Sequence, residues 1–140
     1  MPKIDSYLFF DGNCAEAVKF YEKTVGAKLA MMMKGSDAPD AAKLPPGDRN
    51  KVMHARLELD DGRALMASDW MGPTPYEKKQ GFAISIQYKT VPEAKRAYEA
   101  LSQGGKPTMP MSETFWSQAF GMVQDRFGTP WMVSGPEKQM

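Results

Sequence analysis

Apolar residues recur at helical spacing in two separate segments of the chain. In each segment they fall three, four and seven residues after the first, which places them on one face of an α-helix. Polar and charged residues fill the remaining positions, so each helix is expected to bury one face and expose the other. The predicted buried positions are Cys14, Ala17, Val18, Tyr21 and Val25 in the first helix, and Ala94, Ala97, Tyr98 and Leu101 in the second.

Residues that commonly cap helices lie at the ends of both segments. Asn13 precedes the first helix, and Glu16 stands at its third position, which is the spacing of a capping box. Thr90 and Glu93 repeat this spacing before the second helix. Gly26 is expected to end the first helix, because glycine readily adopts the left-handed conformation of a C-terminal cap.

Short runs rich in aromatic, β-branched and methionine residues surround the helices and predict strands. The segment Gly35–Asn50 combines proline, glycine and aspartate, and is expected to be an exposed loop. Asp60-Asp61-Gly62 predicts a tight hairpin turn. The expected strands are Tyr7–Phe10, Lys28–Met33, Val52–Leu59, Arg63–Ser68, Phe82–Tyr88, Lys106–Met111, Phe115–Gln124 and Trp131–Ser134.

The order strand, helix and three strands occurs twice, and short motifs recur with it. Glu16–Glu22 and Glu93–Glu99 both begin with Glu-Ala and end with Tyr-Glu, about 77 residues apart. This period is too long for a solenoid repeat and indicates a duplicated half-domain. The predicted fold class is α+β, with two βαβββ modules in tandem. We expect one domain over residues 1–140, with modules at about 1–70 and 81–140 and a linker at about 71–80.

The balance of charges excludes several classes of partner. The 140 residues include 18 basic and 17 acidic side chains, so no basic excess is available for nucleic acid or an anionic membrane. The apolar runs are too short to span a bilayer, and the first residues lack the apolar stretch of a signal peptide. The single cysteine, Cys14, has no internal partner for a disulfide. We therefore expect a cytoplasmic protein that binds neither nucleic acid nor membrane.

Several short motifs occur together along nearly the whole chain. They are Tyr7-Leu8-x-Phe10-x-Gly12-Asn13-x-x-Glu16-Ala17, Phe20-Tyr21, Gly26-Ala27, Val52-Met53-His54-Ala55, Leu65-Met66-x-Ser68-Asp69, Thr114-Phe115-Trp116, Phe120-Gly121, Asp125-x-Phe127-Gly128 and Trp131-Met132. In this order they resemble the PhnB-like branch of the vicinal oxygen chelate superfamily, which includes glyoxalase I, bleomycin-resistance proteins and extradiol dioxygenases. The resemblance implies a curled, cup-shaped mixed sheet around a ligand, with the helices outside. It also implies a homodimer, since members of the family are commonly dimeric.

In the metal-dependent proteins that the chain resembles, each module supplies one ligand from its first strand and one from its last. The corresponding positions are about Asp5 and Ala83 in the first strands, and Met66 and Met132 in the last. A divalent ion needs histidine or carboxylate at most of these positions, and only Asp5 qualifies. We therefore expect no bound metal ion and no cofactor. That expectation removes the metal assistance on which glyoxalase and dioxygenase chemistry relies.

Strand side chains alternate between the two faces of a sheet, which separates packed residues from candidate ligand contacts. If Leu8 and Phe10 pack beneath the helices, Tyr7 and Phe9 point into the cup. The resemblance places Trp116 near the mouth of the cup. The predicted ligand contacts are Tyr7, Phe9, His54, Arg56, Met66, Ser68, Ser85, Gln87, Trp116 and Met132.

Three polar residues have alternative roles that the sequence leaves open. His54 is the only histidine and the candidate general acid or base, but it can equally be hydrogen-bonded to a neighbouring strand. Arg56 suits an anionic group of a ligand, and it can equally pair with Glu58. Cys14 begins a helix, where a thiol can be activated, yet it lies on the buried face and is expected to be inert.

Three functions are compatible with these features. The first is metal-independent binding of an unidentified small-molecule ligand. The second is an enzyme, a lyase, isomerase or oxygenase, that uses His54 and either no metal or an unusual site of Asp5, His54 and Glu58. The third is a dimeric structural or interaction protein with a collapsed pocket. Some PhnB-like proteins are named as a demethylubiquinone methyltransferase, but this chain has no glycine-rich turn for a methyl-donor nucleotide.

Overall fold

A computed structural model of the chain describes residues 2–60 and 62–139, and it confirms the predicted α+β class. One strand precedes each α-helix and three strands follow it, so the βαβββ order occurs twice. No helix within these described ranges is both long enough and apolar enough to cross a membrane. The elements are β1 (Ser6–Phe10), α1 (Cys14–Val25), β2 (Lys28–Lys34), β3 (Val52–Glu58), β4 (Ala64–Asp69), β5 (Ile84–Gln87), α2 (Val91–Ser102), β6 (Lys106–Ser112), β7 (Phe120–Gln124) and β8 (Pro130–Ser134).

The chain divides into two compact units, Met1–Tyr76 and Glu77–Met140. Unit 1 contains a four-stranded sheet in the order β1-β4-β3-β2, and unit 2 repeats this order as β5-β8-β7-β6. In each sheet the first pair of strands is parallel and the other pairs are antiparallel. The identical strand order agrees with the duplication inferred from the sequence motifs. The boundary between the units falls inside the segment predicted as a linker, residues 71–80.

One helix covers one face of the sheet in each unit. In β1 of unit 1, Leu8 and Phe10 are buried, whereas Tyr7 and Phe9 are exposed, as expected for a strand covered on one side only. In unit 2, a Cβ at Gly121 would lie only 2.7 Å from the Tyr98 ring of α2, so this glycine allows the helix to approach β7. We call the sheet side that faces away from the helix the distal face of each unit.

The predicted capping box at the start of α1 is wrong. The Asn13 side chain makes no capping hydrogen bond. Instead, the buried Asp69 carboxylate accepts a hydrogen bond from the Cys14 backbone N–H through Oδ1, at 2.9 Å. Its Oδ2 accepts from the Val52 N–H at 2.8 Å. A carboxylate at the end of β4 therefore joins the start of α1 to the start of β3, and its charge is favourable at a helix N-terminus.

The predicted end of α1 at Gly26 and the predicted cap at Thr90 are confirmed, whereas the capping box of α2 is only half formed, because the Glu93 carboxylate meets the Thr90 hydroxyl instead of the Thr90 N–H. Gly26 follows α1 with a φ of 79°, the left-handed conformation that glycine adopts without a steric penalty. At the start of α2, the Thr90 Oγ1 accepts a hydrogen bond from the Glu93 N–H at 3.3 Å. The Thr90 hydroxyl also donates to the Glu93 carboxylate at 2.8 Å. Both contacts stabilise the first turn of α2.

The predicted strand ends lie within about two residues of the observed ones except at the start of β7, and the predicted loop 35–50 contains short turns. The predicted strand Phe115–Gln124 begins only at Phe120, because the preceding residues hydrogen-bond locally. The Ser117 N–H donates to Thr114 Oγ1 at 3.0 Å, and the Ser117 hydroxyl donates to the Ala119 carbonyl at 2.7 Å. The predicted loop 35–50 lacks strands but includes three short 3₁₀ turns, at Gly35–Asp37, Ala41–Lys43 and Pro46–Asp48.

Stability should decrease in alkaline solution because Tyr88 holds its proton more tightly in the folded chain. Burial, and secondarily the Glu93 carboxylate, raises the pKa of Tyr88 from 10.0 to about 12. Between these values the unfolded chain loses the proton first, so the free energy of unfolding falls as the pH rises and levels off above about pH 12. Since the ring is only partly buried, we expect Tyr88 to account for about 1–2 kcal/mol of this decrease.

Denaturant unfolding at several pH values between about 9 and 12 tests this prediction, with Tyr88→Phe as the comparison. The variant should lose less stability over this interval. A residual decrease is expected in the variant, because burial also raises the pKa of Tyr76 and of Tyr98. An alkaline decrease of the same size in both proteins would contradict the assignment to Tyr88.

Candidate functional site

The distal face of unit 1 carries side chains in two rows across the sheet. Residues opposite one another in neighbouring strands project from the same face. All six ligand contacts predicted in the first half of the chain lie on this face, which supports the alternation assumed for these strands. The first row is Tyr7, Met66, Arg56 and Met31; the second includes Phe9 opposite Ser68, and His54 opposite Met33.

A hydrogen bond joins two of the predicted ligand contacts. Tyr7 Oη lies 3.0 Å from His54 Nδ1, and which group donates depends on the histidine tautomer. Their rings are tilted by 32° with centroids 5.6 Å apart. This bond fixes the imidazole and directs Nε2 away from the phenol, where it can meet a ligand as a donor or an acceptor.

An aromatic cluster adjoins this pair. The Phe9 ring lies 5.1 Å from the Tyr7 ring and, edge to face, 5.1 Å from the Trp70 ring. The indole N–H of Trp70 donates to the Thr74 carbonyl at 2.6 Å, which fixes the orientation of the indole. Within unit 1, Trp70 thus packs against Phe9. These rings provide a flat apolar surface next to the polar pair.

Arg56 forms the ion pair that the sequence left as one of two possibilities. Its Nε donates to Glu58 Oε1 at 3.1 Å, and both side chains remain partly exposed. Nη1 lies 3.9 Å from the Met66 sulfur. The remaining donors of the guanidinium are available to an acceptor on a ligand, because the contacts to Glu58 and to the Met66 sulfur use only two of its five N–H groups.

Ser68 offers a further polar group on the same face. The residue is only 4% exposed, and its hydroxyl forms no hydrogen bond within residues 2–60 and 62–139. In these ranges every fully buried side-chain nitrogen or oxygen has a partner. Its Oγ therefore reaches the surface between the neighbouring side chains, where a ligand or water can bind it.

The distal face of unit 2 repeats the arrangement with different side chains. Ser85 lies opposite Met132, Met132 opposite Met122, and Met122 opposite Met109. Gln87 lies opposite Ser134 on the same face as Ser85. The first row of unit 2 therefore contains three methionines and no charged residue.

Trp116 lies outside the strands but next to this face. Its ring contacts Phe120 at 5.4 Å and Phe115 at 4.9 Å, both edge to face. Phe120 projects from the distal face, since it is opposite Ser134. All four ligand contacts predicted in the second half, Ser85, Gln87, Trp116 and Met132, are thus at the distal face of unit 2.

The side chains do not fit the metal site of the metal-dependent proteins that the sequence resembles. No group of three or more His, Cys, Asp or Glu residues is close enough to hold an ion in the described part of the chain, so Asp5, His54 and Glu58 do not assemble into the unusual site considered above. In the strand register, Tyr7 lies opposite Met66 and Ser85 lies opposite Met132. Neither pair supplies a donor set that suits a divalent ion.

Comparison with protein families matches residues 3–133 to the Glyoxalase/Bleomycin resistance protein/Dioxygenase superfamily. Protein YjdN of Escherichia coli (strain K12) is 33% identical over 144 aligned residues, which cover 97% of each chain. The crystal structure of protein PA1353 from Pseudomonas aeruginosa has a TM-score of 0.87 at 41% identity, and the match covers 96% of this chain and 98% of that one. These similarities extend over nearly the whole chain.

A PhnB protein from Bacillus cereus also shares the fold, with a TM-score of 0.78 at 23% identity over 96% of this chain and all of the other. Its name proposes a 3-demethylubiquinone-9 3-methyltransferase activity for that protein. At this level of identity the similarity concerns the fold only. The predicted superfamily is confirmed by the family match, and the fold shared with a PhnB protein is consistent with the predicted branch.

Proposed function

Because the chain belongs to the Glyoxalase/Bleomycin resistance protein/Dioxygenase superfamily, we propose that it binds a small organic molecule on the distal face of unit 1, without a metal ion between protein and ligand. The observation that carries the proposal is the hydrogen bond between Tyr7 and His54, with the Phe9 ring beside it. Aromatic surface next to a few fixed polar groups is the usual composition of a small-molecule site.

The chemistry of this face favours a ligand with a flat apolar part and a polar or anionic part. The Phe9 and Trp70 rings suit stacking or edge contacts with a ring. Arg56, His54 and Ser68 supply hydrogen-bonding groups that are not all used within the protein. Met66 is flexible and polarisable, so it can adapt to the shape of a ligand.

The remaining parts of the proposal come from the sequence and the family. The predicted contacts of the second half, namely Ser85, Gln87, Trp116 and Met132, are proposed as further ligand contacts on the distal face of unit 2. A homodimer and a cytoplasmic location are proposed as well. No nucleic acid or membrane partner is proposed, because the net charge of +1 offers neither of them an electrostatic attraction.

A fluorescent aromatic sulfonate, 1-anilinonaphthalene-8-sulfonate, matches this ligand class and can test the site. We expect saturable binding that is unchanged by EDTA and at least about tenfold weaker in Phe9→Ala. Ile4→Ala is the matched control, since Ile4 is an exposed apolar residue just before the same strand. Loss of binding in EDTA, or equal affinity of the Phe9→Ala variant and the wild-type chain, would contradict the proposal.

An enzyme that uses His54 as a general base is the second candidate. It is favoured by the Tyr7–His54 hydrogen bond, because a base held by a neighbouring group is oriented for proton transfer. The variant His54→Ala separates the two functions once a ligand is known. Unchanged affinity with abolished turnover would indicate the enzyme, whereas weakened affinity without turnover in either protein would indicate a binding protein.

A further inference from the structure

Three thioether side chains lie next to one another on the distal face of unit 2. Met132 of β8 lies opposite Met122 of β7 in regular antiparallel pairing, and Met109 of β6 lies opposite Met122 at a point where the β6–β7 register is interrupted on both sides. Directly opposite residues have Cβ atoms about 5 Å apart, a distance that two methionine side chains span easily. The Met109 side chain is 42% exposed, and the other two are half-buried, so the row is open to a small solute.

We propose that this row binds a single soft monovalent cation, copper(I) in its natural form, through the sulfur atoms of Met109, Met122 and Met132. Thioethers are soft ligands that select copper(I) over the hard divalent ions which need carboxylate or imidazole. Three sulfur donors from neighbouring strands can surround one ion. The ion stays monovalent when it binds, so no oxidant or reductant is needed. The methionine side chain is flexible enough to bring its sulfur to a common centre.

The equivalent row of unit 1 shows why only unit 2 offers such a site. By strand order and register, Met31 corresponds to Met109, and Met66 corresponds to Met132. The central position differs, because Arg56 stands where unit 2 has Met122. Its guanidinium contacts the Met66 sulfur at 3.9 Å, so a positive charge already lies where a cation would bind. The duplication thus provides an internal comparison between a row with three thioethers and one with two.

The proposal does not depend on organic-ligand binding to unit 1, because Met109, Met122 and Met132 all lie on unit 2 and the solute is of another kind. Met132 alone is also a proposed contact of the organic ligand. Neither unit 1 binding nor its failure in the fluorescence assay affects the prediction for unit 2. The buried Cys14 is the main competing soft group, and it lies in the core of unit 1. Silver(I) is a suitable probe, since it shares the preference for thioethers and does not change oxidation state in water.

Silver(I) titration followed by NMR of the methionine methyl groups is the direct test. We expect the signals of Met109, Met122 and Met132 to shift together and to saturate at one ion per chain. Met122→Leu removes the central sulfur at similar volume and should weaken binding at least about tenfold. Met33→Leu, a similar change on the distal face of unit 1, should leave the affinity for silver unchanged. Cys14→Ala should also leave these shifts unchanged.

A gain of binding provides the second arm of the test. Arg56→Met gives unit 1 the same three-methionine row as unit 2, and the variant is expected to bind a second silver ion, with shifts of Met31 and Met66. The proposal is overturned if the three unit 2 signals do not shift, or if Met122→Leu and Met33→Leu behave alike. It is also overturned if the shifts require Cys14, or if Arg56→Met gains no site.

Discussion

Replacing Asp125 with asparagine is expected to lower the free energy of unfolding by about 2–4 kcal/mol, because one buried carboxylate holds the last hairpin together. Asp125 Oδ1 accepts hydrogen bonds from the Phe127 and Thr129 N–H groups at 2.9 and 3.0 Å. Its Oδ2 accepts from the indole N–H of the buried Trp131 at 2.9 Å. An asparagine amide keeps one acceptor and places an NH₂ group against a remaining donor, which is left unsatisfied in the core.

The first hairpin supplies the control for this prediction. Its turn has the same backbone bonds, since Gly62 N–H donates to the Leu59 carbonyl as Gly128 N–H donates to that of Asp125. Leu59 thus stands where the second hairpin has Asp125, and no carboxylate is needed there. Asp60→Asn removes an exposed carboxylate from the first turn and should change stability by less than about 0.5 kcal/mol. Equal midpoints of denaturant unfolding for the two variants would refute the role of Asp125.

The alternation of side chains was predictable because it depends only on local strand geometry. Burying Leu8 and Phe10 requires Tyr7 and Phe9 to face the other way, and the structure places them so. The register between β1 and β4, that is, which residues of the two strands lie opposite one another, was not predictable in the same way. These parallel strands are far apart in the sequence, and no hairpin turn fixes their stagger. The pairing of Tyr7 with Met66 therefore comes from the structure and not from the sequence.

The errors at the start of α1 and at the start of β7 have a common physical origin, which is competition between local and distant hydrogen bonds. Asn13 has a suitable local sequence for a cap, but a carboxylate from β4 takes its place at α1. Phe115 and Trp116 have strand propensity, but Thr114 and Ser117 bind the backbone locally and delay the strand. Sequence patterns rank such alternatives only by local preference, and tertiary contacts decide between them.

The candidate site was identified only in part. The six predicted residues of unit 1 do share one face, yet the bond between Tyr7 and His54 depends on strand order, which alternation does not give. The three-methionine row of unit 2 was missed for the same reason. Met109 and Met122 are spaced irregularly along the chain and become neighbours only through the register of β6 and β7. The composition, with twelve methionines, does not locate such a row.

Asp69→Asn is the second substitution with a large expected effect, a loss of about 2–3 kcal/mol of unfolding free energy. Each carboxylate oxygen of Asp69 accepts one backbone N–H, from Cys14 and from Val52. Asparagine can accept only one of these bonds, and its NH₂ group would face the other N–H in a site that is 3% exposed. Because Val52 begins the strand that carries His54, the substitution should destabilise the candidate site as well as the start of α1.

Denaturant unfolding and amide hydrogen exchange together test this prediction. Exchange at Cys14 and Val52 should accelerate in Asp69→Asn more than exchange in the strands of unit 2, because the lost bonds are local to unit 1. Asp11→Asn removes an exposed carboxylate just before the same helix and should have little effect on either measurement. If both variants lost stability equally, the loss would come from removing a negative charge near the α1 N-terminus. The two hydrogen bonds that Asp69 accepts from Cys14 and Val52 would then not explain it.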